Sequence, residues 1–216
     1  MERFRPTEKL FVAALTALAG FVDAVGFVQS KGFFVSFMSG NSTRLGVGIA
    51  SSLTDALGAL GLISSFILGV TAGSLIGRQR EANRVPVIMS LVGACLAGAA
   101  LLGMEGFLLA SLSITALAMG MENTALEHQG RVRVGLTYMT GSVVKIGQAL
   151  ADRLAGIRDS DLAGPLLLWG SFLGGATAGA LAGGSLGFAA LWLGSGCALS
   201  FALMSREMFW VQATDN

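Results

Sequence analysis

Residues 65–77 read SFILGVTAGSLIG, and residues 171–183 read SFLGGATAGALAG. Eight of the thirteen positions are identical at a separation of 106 residues, which indicates an internal repeat. A second match supports the repeat, because Met38-Ser39-Gly40 corresponds to Met139-Thr140-Gly141 at a separation of 101 residues. We therefore predict a first structural repeat at residues 1–106 and a second at residues 107–216.

The composition places both repeats in a lipid bilayer. Of the 216 residues, 53% are hydrophobic and only 12% are charged, with a mean hydropathy of +0.71. A soluble protein of this size could not bury so much apolar surface, so we predict one all-α integral membrane domain over residues 1–216. The net charge of only +1 argues against a nucleic-acid partner. Cys95 and Cys197 lie in apolar stretches and are interpreted as packing residues.

Eight apolar stretches of roughly membrane-spanning length follow one another along the chain. They are Leu10–Val28, Gly32–Ser52, Ala56–Gly77, Val85–Gly103, Phe107–Leu126, Val134–Leu154, Leu162–Gly183 and Leu186–Ser205. The second and sixth stretches carry a polar cluster and a basic residue near their centres. Such a composition is typical of a broken or re-entrant segment that is shielded by protein rather than exposed to lipid.

The basic residues in the loops distinguish two topologies. If all eight stretches cross the membrane, six basic residues fall on each side. If the second and sixth stretches are re-entrant, eleven fall inside and only Lys31 falls outside. We therefore predict six spanning helices, two re-entrant or broken elements, cytoplasmic termini and an uncleaved first helix. Strongly bent crossing helices in the second and sixth stretches remain the alternative.

Three crossings in each repeat would turn the second repeat upside down relative to the first, as in many transporters and channels. Small residues also recur every fourth position within both quoted segments, at 65, 69, 73 and 77 and at 171, 175, 179 and 183. Such a face lets helix backbones approach closely. We expect these faces to pack helices inside the bundle, with dimerisation as the alternative.

The candidate substrate-binding site lies at the polar clusters of the two broken elements. Half-helix N-termini there would present N–H groups and a positive dipole end to an anion. The two basic residues lie about one turn further on and would add charge, unless their side chains reach only to the lipid headgroups. The predicted site residues are Ser39, Gly40, Asn41, Arg44, Thr140, Gly141, Ser142 and Lys145.

Two carboxylates lie within apolar stretches and are candidates for proton or ion coupling. Asp23 stands in the first stretch, and Glu122-Asn123 takes a comparable place in the fifth if a gap of one or two residues is allowed, with Glu122 as the second carboxylate. The structural alternative is a pair of fixed ion pairs, Asp23 with Arg44 and Glu122 with Lys145. The chain has a single histidine, His128, and contains neither an HExxH motif nor a P-loop. We therefore expect no catalytic site, no metal site and no cofactor, and we do not expect an enzyme.

The motifs AGFVDAVGF and FVSFMSGNSTRLG, followed later by AMGMENTAL and LTYMTGSVVKIG, resemble the YoaK family of bacterial multi-pass membrane proteins, a domain of unknown function. The resemblance covers nearly the whole chain. Ser39 stands where the family motif has Thr, and Glu122 stands where many relatives look to have Gln. The resemblance implies a protein of the bacterial inner membrane with a transport function, and it names no substrate.

The leading hypothesis is a secondary transporter or channel for a small polar, anionic solute bound between the two broken elements near the membrane midplane. The alternative is a membrane scaffold or assembly partner that uses its glycine faces to bind another protein. An intramembrane enzyme is a weaker third hypothesis, because the carboxylates form no recognisable catalytic pattern. The expected partners are the lipid bilayer, a small-molecule or ion substrate and, for so small a bundle, a second copy of the chain.

Overall fold

The computed structural model describes residues 6–128, 131–132, 136–157 and 161–213. Within these residues the chain is helical except for short turns and one minimal hairpin. The helices are α1 (Pro6–Ser30), α2 (Met38–Ser51), α3 (Leu53–Gln79), α4 (Arg84–Met104), α5 (Leu108–Glu122), α6 (Met139–Leu154), α7 (Ala163–Leu186) and α8 (Leu191–Ala213). Strands β1 (Glu127–His128) and β2 (Arg131–Val132) pair antiparallel between α5 and α6. Positions 3, 5, 133, 134 and 158, used in the sequence argument, lie outside the described residues.

Each apolar stretch of the sequence contains one helix. Four described segments are long and apolar enough to cross a membrane, namely Thr7–Ser30, Leu53–Gln79, Glu81–Met104 and Ala163–Ser205. The last has 43 residues because α8 follows α7 almost directly. Helix α5 is apolar but has only 15 residues. Helices α2 and α6 have 14 and 16 residues and carry the polar clusters.

Local sequence explains where several helices begin and end. Ser52 separates α2 from α3 in an extended conformation, and its Oγ accepts a hydrogen bond from the Asp55 amide in the first turn of α3. The Asp161 carboxylate accepts a hydrogen bond from the Gly164 amide at the start of α7. Gly106, at φ +86°, makes the tight turn from α4 to α5, because a residue with a Cβ is strained in that conformation.

The core lies between α1, α4, α5 and α8. Large side chains from these helices are fully buried, including Leu15, Ile88, Met119 and Leu191. The outer faces remain apolar, as at Ile67 and Leu68 of α3, which are 57% and 61% exposed. Apolar side chains on both the inside and the outside are typical of a bundle surrounded by lipid rather than water.

Glycines bring two pairs of helices into backbone contact, α3 with α5 and α1 with α7. A Cβ at Gly69 would overlap the carbonyl of Leu117, and a Cβ at Gly175 would overlap the carbonyl of Ala17. Gly175 follows Gly69 by 106 residues, and Leu117 follows Ala17 by 100 residues, so the same contact occurs twice in the chain. These glycine faces are therefore covered by the chain's own helices.

Helices α4 and α8 pack closely against each other. The Ser195 hydroxyl donates a hydrogen bond of 2.8 Å to the carbonyl of Gly93, and both atoms lie in the core. A Cβ at Gly93 would lie 2.8 Å from the side chain of Leu199, so the absence of a side chain lets the helices approach. The α4–α8 contact therefore joins the last helix of the first half to the last helix of the second.

Candidate functional site

Asp23 fixes the start of α2 from inside α1. Its Oδ1 accepts hydrogen bonds from the backbone amides of Val35 (2.9 Å), Ser36 (2.7 Å) and Phe37 (3.4 Å), and the side chain is buried. Asp23 lies seven residues before the end of α1, about 10 Å along the helix axis. The segment after α1 therefore folds back along that helix before α2 begins.

The polar motif at the start of α2 stabilises the same turn. The Asn41 side chain accepts a hydrogen bond from the Phe34 amide (3.0 Å) and donates one to the Phe34 carbonyl (2.6 Å). Gly40 packs against the rings of Phe34 and Phe37, where a Cβ would lie within 2.8 Å of ring carbons. Asn41 and Gly40, predicted as substrate-binding residues, thus have a structural role at this turn.

The second half contains a corresponding anchor at Asn123. Its Oδ1 accepts a hydrogen bond of 3.2 Å from the Thr137 hydroxyl, just before α6, and its amide donates to the carbonyl of Met119. Asn123 lies 100 residues after Asp23, the same separation that relates Ala17 to Leu117. The residue that corresponds to Asp23 is therefore Asn123, while Glu122 corresponds to Val22. The sequence comparison matched Asp23 to the pair Glu122-Asn123 with a gap of one or two residues, and the hydrogen bond to Thr137 favours Asn123.

The basic residues of the candidate site differ in their surroundings. Arg44 is half-buried, donates a hydrogen bond of 2.9 Å to the Gly32 carbonyl and lies 4.0 Å above the Phe33 ring. It therefore holds the segment after α1 and does not pair with Asp23, whose acceptor atom is taken by backbone amides. Lys145 of α6 is exposed. In place of the alternative ion pair between Asp23 and Arg44, the structure has two separate backbone anchors.

The other predicted site residues divide between the inside and the surface. Ser142 is buried, as is Asn41, whereas Ser39, Thr140 and Gly141 are exposed. Helix α2 packs mainly on α3, and α6 packs mainly on α7. The structure therefore brings each polar motif to its own neighbouring helix.

Glu122 is completely buried at the end of α5. Within the part of the chain that the structure describes, neither carboxylate oxygen has a hydrogen-bond partner. The expected ion pair with Lys145 is therefore not formed, since the lysine side chain is exposed. A buried carboxylate that lacks partners is costly in a structural role, which makes Glu122 a functional candidate.

Sequence reasoning missed Arg84, the first residue of α4. Its side chain is buried, and one guanidinium nitrogen donates a hydrogen bond of 3.3 Å to the carbonyl of Thr124, just after α5. Space for the guanidinium exists because Gly77 has no side chain; a Cβ there would lie 2.7 Å from Arg84 Cζ. An arginine directly before an apolar stretch is typical of a charged loop, so its burial could not be predicted from the sequence.

One apolar cavity of about 280 Å³ opens between α1, α7 and α8. Its walls include Ala14, Phe21, Gly175, Cys197 and Phe201. The Phe11 and Phe201 rings meet edge to face with centroids 5.8 Å apart and separate the two helices at one end. The lining carries no polar group, so this cavity does not contain the predicted polar site.

Comparisons with known proteins agree with a membrane location. The profile of the family described as "Protein of unknown function (DUF1275)" matches residues 11–204. The chain is similar to UPF0700 transmembrane protein RA0705 of Rhizobium meliloti (strain 1021), with 36% identity over 189 residues, 87% of this chain and 81% of that protein. It is also similar to UPF0700 transmembrane protein YoaK of Bacillus subtilis (strain 168), with 25% identity over 160 residues, 66% of this chain and 67% of that protein. No solved structure shows a significant match.

Proposed function

We propose that this chain, which belongs to the DUF1275 family of proteins of unknown function, is a secondary transporter or channel for a small polar, anionic solute. The family membership agrees with the YoaK resemblance of the sequence motifs. The observation that carries the proposal is the pair of anchored helix starts, in which Asp23 and Asn123 each hold the segment before a short polar helix. Interrupted helices of this kind form the solute sites of many transporters.

The proposed topology has six spanning helices, namely α1, α3, α4, α5, α7 and α8, with both termini in the cytoplasm of a bacterium. The backward fold after α1 supports a re-entrant α2, because residues 35–37 return to the level of Asp23. The recurrence of the Gly69 and Gly175 contacts supports two related repeats, and three crossings in each would give them opposite orientations. Alternation between two such repeats would expose the polar faces of α2 and α6 to each side of the membrane in turn.

The proposed solute path follows the exposed polar faces of α2 and α6. Ser39, Thr140 and Gly141 are exposed there and offer hydroxyl and backbone groups to a solute. Arg44 and Lys145 occupy corresponding positions and supply positive charge for an anion. The scaffold alternative is less well supported, because the glycine faces that it needs are covered by α1 and α5.

The double variant Arg44→Gln, Lys145→Gln is expected to lower anion uptake at least tenfold, because both positive charges of the proposed path are removed. Uptake would be measured in proteoliposomes with radiolabelled formate and acetate, and with glycerol as the neutral solute. The matched control is Arg78→Gln, Arg80→Gln, which removes the same charge from exposed positions at the end of α3. Equal uptake by the double variant and the wild-type protein would contradict the assignment of these residues.

A thermal-stability screen gives an independent measurement on the purified protein. A ligand present at about 100 times its Kd stabilises a folded protein by about 2.7 kcal/mol. We expect formate, acetate or nitrate to raise the melting temperature of the wild-type protein and of the Arg78/Arg80 control. The same rise in the Arg44/Lys145 variant would place anion binding elsewhere.

A further inference from the structure

The role of Glu122 that is argued below rests on the proposed transport function. Glu122 lies eleven residues after Ser111, three helical turns along the same face of α5. This face meets α4, because the Ser111 hydroxyl donates a hydrogen bond of 2.7 Å to the carbonyl of Ala99. The carboxyl group therefore lies toward the α4–α5 contact, away from bulk water.

The two intramembrane carboxylates have opposite environments. Asp23 accepts three backbone N–H groups, which hold its side chain in place. Glu122 has no such donor among the described residues. The corresponding residue of the first half is Val22 in α1, so α1 packs without a carboxyl group at the position that Glu122 occupies in α5. Packing alone therefore gives no reason for an acid at residue 122.

An ionised carboxylate without partners in an apolar interior is strongly unfavourable, whereas the protonated acid is tolerated. The charged group that approaches from α4 is Arg84, whose guanidinium binds the Thr124 carbonyl two residues beyond Glu122. From α3, Gly73 packs against Met121 and Thr124 and brings no charge. A small movement at the end of α5 would let Arg84 balance the charge of Glu122 after its proton leaves.

We infer that Glu122 is the proton-carrying group of this protein, and that Asp23 is a positioning residue for α2. Glu122 holds a proton while it is isolated, and releases it when the α4–α5 contact rearranges and Arg84 becomes its partner. The transported solute would then be accompanied by a proton. The class of reaction is symport of a proton with a small anion.

The first test measures the protonation state directly by infrared spectroscopy of the purified full chain at pH 7. We expect a carboxylic acid C=O stretching band in the wild-type protein and its loss in Glu122→Gln. Glu105→Gln is the matched control, since it makes the same change at an exposed residue between α4 and α5. Absence of the band from the wild-type protein, or its persistence in Glu122→Gln, would overturn the inference.

The second test separates proton coupling from transport itself. In proteoliposomes with labelled nitrate, which has no neutral acid form that could cross the bilayer by itself, a gradient of one pH unit is expected to drive about tenfold accumulation by the wild-type protein. Glu122→Gln is expected to lose this accumulation but to retain exchange of internal for external nitrate. Exchange by the wild-type protein without any effect of the gradient would overturn the inference and leave the proposed function standing. Absence of exchange as well as accumulation, across formate, acetate and nitrate, would overturn the proposed function and with it the coupling.

Discussion

Gly175→Leu is expected to prevent the chain from forming its native helix bundle. A Cβ at Gly175 would overlap the carbonyl oxygen of Ala17, a backbone atom that cannot move without displacing α1. Overpacking a core costs about 1–3 kcal/mol when side chains can adjust, and we expect more here because two helix backbones must separate. The measurement is the monodisperse yield after detergent extraction, together with the melting temperature of any folded fraction.

Gly174→Leu provides a matched control next to this position. No atom lies within 4 Å of a Cβ at Gly174, and the residue faces outward. The same substitution there is expected to leave yield and melting temperature close to those of the wild-type protein. If the two variants behaved alike, the α1–α7 contact would not have the backbone packing described above.

Asp23→Ala is expected to lower the free energy of unfolding by about 4 kcal/mol. The buried amides of Val35 and Ser36 lose their acceptor, and each unsatisfied buried donor costs about 1–3 kcal/mol. The third bond, at 3.4 Å, contributes less. Helix α2 would lose its anchor to α1, so we also expect faster backbone hydrogen exchange at residues 35–41, measured by mass spectrometry.

Asp23→Asn tests whether an oxygen acceptor at residue 23 is enough to anchor the segment before α2. Asparagine retains an oxygen acceptor, and Asn123 holds the corresponding segment before α6 in the wild-type chain. We therefore expect Asp23→Asn to be clearly milder than Asp23→Ala and to protect residues 35–41 nearly as well as the native residue. A loss of protection as large as that of Asp23→Ala would show that the charge itself, and not the acceptor position, holds the segment.

The positions of the helices could be predicted from the sequence. Apolar stretches such as Val85–Gly103 and Leu162–Gly183 closely match α4 and α7, since helix formation in lipid follows the length of an apolar segment. The stretch Phe107–Leu126 was a less accurate guide, because α5 ends at Glu122 and the chain continues into a turn and a hairpin. Composition alone does not reveal such an end.

The candidate site could be predicted from the sequence only in part. Asn41 and Arg44 were identified as polar residues in an apolar context, but the structure uses Asn41 to bind the Phe34 backbone and Arg44 to bind Gly32. Arg84 was not identified, because a charge beside an apolar stretch looks the same whether it lies in a loop or beneath a neighbouring helix. Its burial depends on Gly77 of a different helix.

The sequence by itself determined that this is a helical membrane protein, because hydropathy is a property of neighbouring residues, and its recurring glycine pattern predicts two related halves. The tertiary structure decided the roles of the two carboxylates. Asp23 binds backbone amides because the chain folds back along α1, whereas Glu122 has no hydrogen-bond partner among the described residues because it is buried at the end of α5. The free energy of a buried charge depends on which donors reach it, and those donors come from segments distant in sequence.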